Sequence, residues 1–170
     1  MTARKPLIDN RLRSVLFSMG VCIALMAAYY ISVGQDNIPP DTEITYQGCV
    51  ATPCHAIRLK VVADGSVSLS NGTGAYRYHI STFALRRVLR VFKRQRFLDR
   101  DVAAYNAAGS EACVLGLHLD HRLTALTHAC ATQAPEIAKP LAALETATRF
   151  REIAAGDPTI IHDLSVERVN

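Results

Sequence analysis

The sequence lacks tryptophan, internal repeats, low-complexity tracts and the short motifs of common enzymes. It contains no Gly-x-Ser-x-Gly, no Ser-x-x-Lys and no pair of candidate catalytic carboxylates, so we predict no catalytic residues, no cofactor and no enzymatic activity. At 170 residues the chain is too short for a polytopic transporter or a multidomain enzyme. Its 49% hydrophobic content is too high for a disordered chain, so one folded domain is expected.

The C-terminal four-fifths of the chain lacks a surplus of basic charge. Residues 1–34 carry a net charge of +3 out of +4 for the whole chain. This local charge comes from Arg4, Lys5, Arg11 and Arg13 against Asp9. A nucleic-acid-binding protein normally concentrates basic residues in its folded domain, so we expect no nucleic-acid partner.

Charge is also absent from residues 14–33, SVLFSMGVCIALMAAYYISV. As a helix this run would span roughly 30 Å, the thickness of a bilayer core. Basic residues precede it and none follows until Arg58, so we predict a single transmembrane helix in the lipid bilayer of a bacterial inner membrane. Residues 1–13 would be cytoplasmic and the rest periplasmic. A cleaved signal peptide, with Gln35 as the new start, is the alternative.

Small residues recur every four positions in this run, at Gly20, Ala24 and Ala28. They would lie on one helix face and let a helix of another integral membrane subunit approach closely. The alternative is that glycine and alanine are simply common in such helices.

The remaining chain divides into a linker (34–41), an α+β domain (42–155) and a C-terminal tail (156–170). A weak strand is predicted at 43–47. Residues 55–62 alternate in polarity, and Asp64-Gly65 separates them from a second alternating run, which predicts a hairpin. The tail is either a short edge strand or a loose segment.

A helix is predicted from Ser81, its N-cap, to about Arg96. Leu85, Val88, Leu89 and Phe92 have the spacing of one buried helix face. The other side carries Arg86, Arg90 and Arg94, a candidate site for an anion or a lipid phosphate. A solvated basic face is the alternative. Pro140 suits the first turn of a second helix that ends near Ala155.

Four cysteines follow the apolar run, and an even number in an exported domain indicates disulfides. We predict the pairs Cys49–Cys54 and Cys113–Cys130 among three connectivities. A hairpin that places Cys113 opposite Cys130 gathers the leucines at 115, 117, 119 and 126 on one face. Four residues separate Cys49 from Cys54, unlike the two of thioredoxin-type motifs, so a structural bridge is favoured over redox chemistry.

No metal site is predicted, because the same register sends His118 and His128 to opposite faces of the sheet and keeps them from converging with His121. Asn71-Gly72-Thr73 fits a glycosylation sequon, but we interpret it as a turn. The predicted fold is an antiparallel sheet of about five strands, two hairpins plus one strand, with two helices on one face.

The order of these features resembles the uncharacterised bacterial domain-of-unknown-function family 6438. The resemblance rests on Cys49 and Cys54, on Ile57-Arg58-Leu59-Lys60-Val61 followed by Asp64-Gly65, on Phe97 and Tyr105, and on Pro140-Leu141. It covers roughly residues 42–155. It implies an exported α+β domain and assigns no activity.

From these features we predict a non-enzymatic, membrane-anchored periplasmic accessory or assembly subunit that docks onto a larger inner-membrane complex. The first alternative is an envelope ligand-binding module that uses the Arg-rich helix 81–96. The second is a thiol-disulfide oxidoreductase that uses Cys49 and Cys54.

Overall fold

The computed structural model describes residues 10–34, 37–50, 55–102, 112–130 and 135–169. Two compact units are present, Met1–Asn37 and Ile38–Asn170. The described helices are α1 (Asn10–Gly34), α2 (Thr82–Arg94), α3 (Pro135–Thr148), α4 (Phe150–Ala154) and α5 (Pro158–Asp163). The described strands are β1 (Glu43–Val50), β2 (His55–Val62), β3 (Ser66–Asn71), β4 (Gly74–His79), β5 (Ala112–Leu119), β6 (Arg122–Ala129) and β7 (Glu167–Val169). A 3₁₀ turn, Phe97–Asp99, follows α2.

Helix α1 belongs to the first unit, and its side chains at 15–29 are exposed. Within the described residues, no helix combines the length and the apolar character needed to cross a membrane. This finding corrects the predicted transmembrane helix over 14–33. It also corrects the inner-membrane location, with its cytoplasmic N terminus and periplasmic domain.

The small residues Gly20, Ala24 and Ala28 all lie on α1 and are exposed. Cys22, on the same helix, is an exposed free thiol. Nothing in the first unit tests whether Gly20, Ala24 and Ala28 pack against another helix, so that role stays a prediction.

The second unit contains one antiparallel sheet in the order β6-β5-β1-β2-β3-β4-β7. The seven strands correct the predicted five. The additional strands are β4 and β7. The sequence signal of β4 is weak because Tyr76 and Tyr78 carry polar hydroxyls on its inner face, and β7 has only three residues. The tail is therefore part of the compact unit, with β7 at the sheet edge next to β4.

The hairpin predicted at Asp64-Gly65 is confirmed as β2–β3. Gly65 has φ +91°, and its amide donates to the Val62 carbonyl at 2.9 Å. A Cβ at Gly65 would overlap the Ile80 carbonyl oxygen, so glycine is required both by conformation and by space. Asn71 is confirmed as a turn residue, because its Oδ1 accepts from the amides of Thr73 and Gly74.

The second predicted hairpin is present as β5–β6, but its register differs by two residues. Cys113 lies opposite His128, not Cys130. The two-residue turn at Asp120 and His121, both with positive φ, sets this register. A slip of two preserves the side-chain faces, so the predicted apolar face is confirmed, with its leucines buried at 115, 117, 119 and 126.

The inner face of the sheet and the helices α2 to α5 form one hydrophobic core. Ser81 caps α2 as predicted, and the four predicted apolar residues of this helix are buried. The Tyr78 hydroxyl donates to the Thr148 carbonyl at 2.8 Å and ties the sheet to the end of α3. The predicted helix from Pro140 is corrected, because α3 begins at Pro135 and contains Pro140. The helix is interrupted at Arg149, which has φ +52°, and α4 follows.

Candidate functional site

The face of the sheet opposite the core, here called the open face, carries two adjacent cross-strand rows of residues, most of them polar. Strand registers align the first row as Val114, Gln47, Arg58, Ser70, Ala75 and Val169. They align the second row as Gly116, Thr45, Lys60, Ser68, Arg77 and Glu167. These residues alternate with core residues along each strand, so their position follows directly from the pleat.

A groove of about 450 Å³ lies along these two rows. Its floor is shallow because short side chains occupy the centre, at Thr45, Ser68, Ser70 and Ala75. Longer side chains, such as those of Arg58 and Arg77, stand beside them. The concavity therefore arises from the difference in side-chain length between neighbouring strand residues. No described helix of the second unit supplies a lining residue.

The groove is electropositive. Arg58, Lys60 and Arg77 line it, and none of the lining residues that the structure describes is acidic. Lys60 Nζ pairs with Glu43 Oε2 at 2.7 Å, and Glu43 is not among the residues that line the groove. Arg58 and Arg77 are exposed and form no ion pair or hydrogen bond with any described residue. No described residue engages these two guanidinium groups, and each can bind a carboxylate in a bidentate manner.

The predicted anion site on α2 is less concave. Arg86 and Arg90 are half-buried and Arg94 is exposed in the last turn. Arg86 Nε is buried with no hydrogen-bond partner among the described residues, whereas Arg90 takes part in an interaction within the chain. The adjacent groove between α2 and α3 is lined by Arg87 and by small or apolar residues, not by these three arginines. Their role in anion binding stays a prediction.

One cluster of titratable groups lies at the turn of the β5–β6 hairpin. Asp41 Oδ2 accepts from the His121 amide at 2.6 Å and lies 3.5 Å from His121 Nδ1 and 3.7 Å from His118 Nε2. The hydrogen bond from the His121 amide lowers the pKa of Asp41. His128 is buried on the opposite face, as predicted. In the described ranges no group of three or more histidine, cysteine or acidic side chains is arranged to hold a metal ion.

The lowered pKa of Asp41 predicts a pH-dependent contribution to stability. Asp41→Asn should unfold at a lower urea concentration than wild type at pH 7, because the ionised carboxylate accepts the His121 amide more strongly than an amide oxygen does. A depressed folded-state pKa contributes stability above the unfolded value of about 3.9, and this contribution is lost as the pH falls through the folded pKa. The difference between the two proteins should therefore shrink below pH 4. An unchanged difference at pH 2.5 would contradict this assignment.

Both predicted disulfides fall at least partly within the described residues. Cys113–Cys130 is confirmed, with Cα atoms 5.1 Å apart. Cys49 is disulfide-bonded, and Cys54, its predicted partner, lies outside the described residues. The predicted preference for structural over redox cysteines is not tested by this geometry.

The open-face cations were not singled out from the sequence. Arg58 and Lys60 are the polar positions of the alternating run in β2, so they could have been assigned to the solvent face of the predicted hairpin. Ser68 and Ser70 occupy the same positions in β3. Arg77 gives no such signal, because β4 itself was not predicted. The alternation of cations on β2 with small polar residues on β3 was the sequence signal that could have indicated this groove.

Comparison with models of known protein families and with curated proteins found no match to this chain. The resemblance to domain-of-unknown-function family 6438 stays a prediction.

Proposed function

We propose that this protein is a non-enzymatic accessory subunit that docks onto an acidic surface of a partner protein through the open face of its sheet. The observation that carries the proposal is the electropositive groove, in which Arg58 and Arg77 have no partner within the described chain. A face of this kind matches a partner of opposite charge, which both attracts it over a distance and fixes its register.

The groove also suits docking energetically. The guanidinium groups of Arg58 and Arg77 have no ion pair with a described residue that a carboxylate would have to displace. The serines and the threonine on the floor supply hydroxyl groups that donate or accept hydrogen bonds as the partner requires. Arginine is enriched at the energetically dominant positions of protein interfaces.

Site-specific photo-cross-linking in cells tests the proposal. A photoreactive side chain at Ser70, on the groove floor, should give a discrete adduct with one partner, and the cross-linked partner peptide should contain aspartate or glutamate. The same group at Thr146, exposed on α3, serves as the positional control. No adduct from Ser70, or an adduct to a peptide without acidic residues, would overturn the proposal.

Two charge-reversal double variants test whether the cross-link depends on the arginines of the groove. Arg58→Glu/Arg77→Glu should remove the Ser70 adduct, because two carboxylates then repel the acidic partner. Arg86→Glu/Arg94→Glu changes the net charge by the same amount on α2 and should leave the adduct intact. Because the altered groove residues are exposed, urea unfolding of the first variant should stay within about 0.5 kcal/mol of wild type.

The Arg-rich helix is the second candidate, as an anion-binding surface. The buried Arg86 Nε without a partner in the described chain is the observation in its favour. The same variants separate the two candidates. An adduct that is lost in Arg86→Glu/Arg94→Glu and retained in Arg58→Glu/Arg77→Glu would assign the docking to α2.

A further inference from the structure

The groove on the open face crosses the strands. Its residues lie in two cross-strand rows from β5 to β7, not along any single strand. From Val114 on β5 to Val169 on β7 there are five strand spacings. At about 4.8 Å each, the groove is about 24 Å long and two side-chain rows, about 7 Å, wide. A long and narrow site of these dimensions fits one extended segment of chain better than a flat protein surface.

The two ends of the groove differ chemically from its middle. Val114 lines one end and Val169 the other, and both are half-buried. The cations lie between them, with Arg58 and Lys60 on β2 and Arg77 two strands away on β4. Ser68 lies between Lys60 and Arg77 in the same row. From β5 to β7 the order along the groove is therefore apolar, polar (Thr45 and Gln47 on β1), cationic, small and polar, cationic, apolar.

We infer that the groove binds an extended acidic segment of the partner, with carboxylates in its middle and an apolar side chain at each end. This inference rests on the proposed docking function and specifies its ligand. An extended chain rises about 3.3 Å per residue, so apolar residues eight positions apart are about 26 Å apart and point to the same side. Acidic residues two, four and six positions after the first apolar residue point to the same side as both ends, and they then face the middle of the groove, where Arg58, Lys60 and Arg77 lie.

Fluorescence anisotropy with two labelled peptides of identical composition tests the inference on the full chain at low salt. Leu-Ser-Glu-Ser-Glu-Ser-Glu-Ser-Leu carries the inferred pattern. Ser-Ser-Glu-Leu-Glu-Leu-Glu-Ser-Ser has the same charge with the leucines in the middle. The first should bind at least threefold more tightly. Replacing its three glutamates by glutamines should weaken binding about tenfold or more, as should Arg58→Glu/Arg77→Glu in the protein.

The variant Val114→Ser tests the contribution of the apolar end of the groove on β5. This change should remove most of the advantage of the leucine-ended peptide and leave the affinity of the second peptide unchanged, which is the signature of a direct contact. Arg87→Glu/Lys93→Glu, at two exposed positions of α2, is the matched control for net charge and should alter neither affinity by more than about twofold.

The outcomes separate this inference from the docking proposal. Equal affinities for the two peptides, both lost in Arg58→Glu/Arg77→Glu, would overturn the apolar-end pattern and leave acidic docking in place. If neither peptide binds while the Ser70 cross-link persists, the groove does not bind an extended acidic segment, and the partner docks by a folded surface. If glutamine peptides bind as tightly as glutamate peptides, or the groove reversal has no effect, the groove does not bind an acidic ligand.

Discussion

The Phe92→Ala variant should be destabilised by about 3–5 kcal/mol, the usual cost of removing a fully buried aromatic side chain. Phe92 is 0% exposed and lies at the end of the apolar stripe of α2. Its ring meets that of Phe97 edge to face, with centroids 4.9 Å apart. Alanine would leave a cavity between α2 and the 3₁₀ turn and would remove this ring contact, which adds about 0.5–1.5 kcal/mol beyond area burial.

Urea unfolding measured by circular dichroism tests this prediction. Lys93→Ala is the matched control, because Lys93 is the next residue on the same helix and is exposed. It should change the free energy of unfolding by no more than about 0.5 kcal/mol. Phe92→Leu should lower the free energy of unfolding less than Phe92→Ala does, since leucine retains most of the buried volume. A Phe92→Ala protein as stable as the control would mean that α2 does not pack on the sheet as described.

Removing the Cys113–Cys130 disulfide should cost roughly 3 kcal/mol. The two cysteines are 17 positions apart, and closing a loop of this size removes entropy mainly from the unfolded chain. Cys113 is also 1% exposed, and the Tyr46 hydroxyl donates to its Sγ at 3.6 Å. The Cys113→Ala/Cys130→Ala variant is preferable to chemical reduction, because reduction would also break the disulfide of Cys49.

Cys22→Ala provides the control for this variant. Cys22 is a free exposed thiol, so its replacement removes sulfur without breaking a bond and should leave the unfolding transition unchanged. The double variant should unfold at a clearly lower urea concentration than Cys22→Ala. Coincident transitions for the two proteins would show that the disulfide contributes little to the stability of this fold.

The elements with strong local signals could be predicted from the sequence. The 3.6-residue spacing of apolar residues from Leu85 to Phe92 and the Ser81 cap specified α2 within two residues. Asp64-Gly65 specified the β2–β3 hairpin, because glycine at positive φ is a local requirement. Each of these signals depends on a few neighbouring residues, so tertiary contacts had little effect on where these two elements form.

Other elements had no comparable local signal. Edge strand β7 is three residues long, and its ordering comes from pairing with β4 and from Arg168, which donates to the Thr73 carbonyl at 2.8 Å. The exact pairing of β5 with β6 depended on positive φ at Asp120 and His121, which neither residue type requires. Hydrophobicity alone suggested a membrane span over 14–33, and the described helix does not support it.

The candidate site shows the same division. The cations of β2 are visible in the sequence as the polar half of an alternating run, but nothing local places Arg77 near them. Arg77 comes near them only because β3 lies between β2 and β4, and therefore through two consecutive registers. The groove as a whole contains residues from Thr45 to Val169, and only the order of the strands brings them together.

The sequence by itself determined the amphipathic helix, the first hairpin and the apolar face of the second hairpin, because spacing and turn chemistry act over a few residues. It favoured Cys113–Cys130 among three connectivities, and the structure confirmed that pair. Only the tertiary structure decided the seven-stranded order, the register between hairpins and the groove. Gly48 illustrates why: its position in β1 gives no local sign that glycine is needed, yet a Cβ there would lie 2.6 Å from Sγ of Cys113, which is far away in sequence and lies on the neighbouring strand β5. Such constraints arise from close packing between elements, which no local pattern encodes.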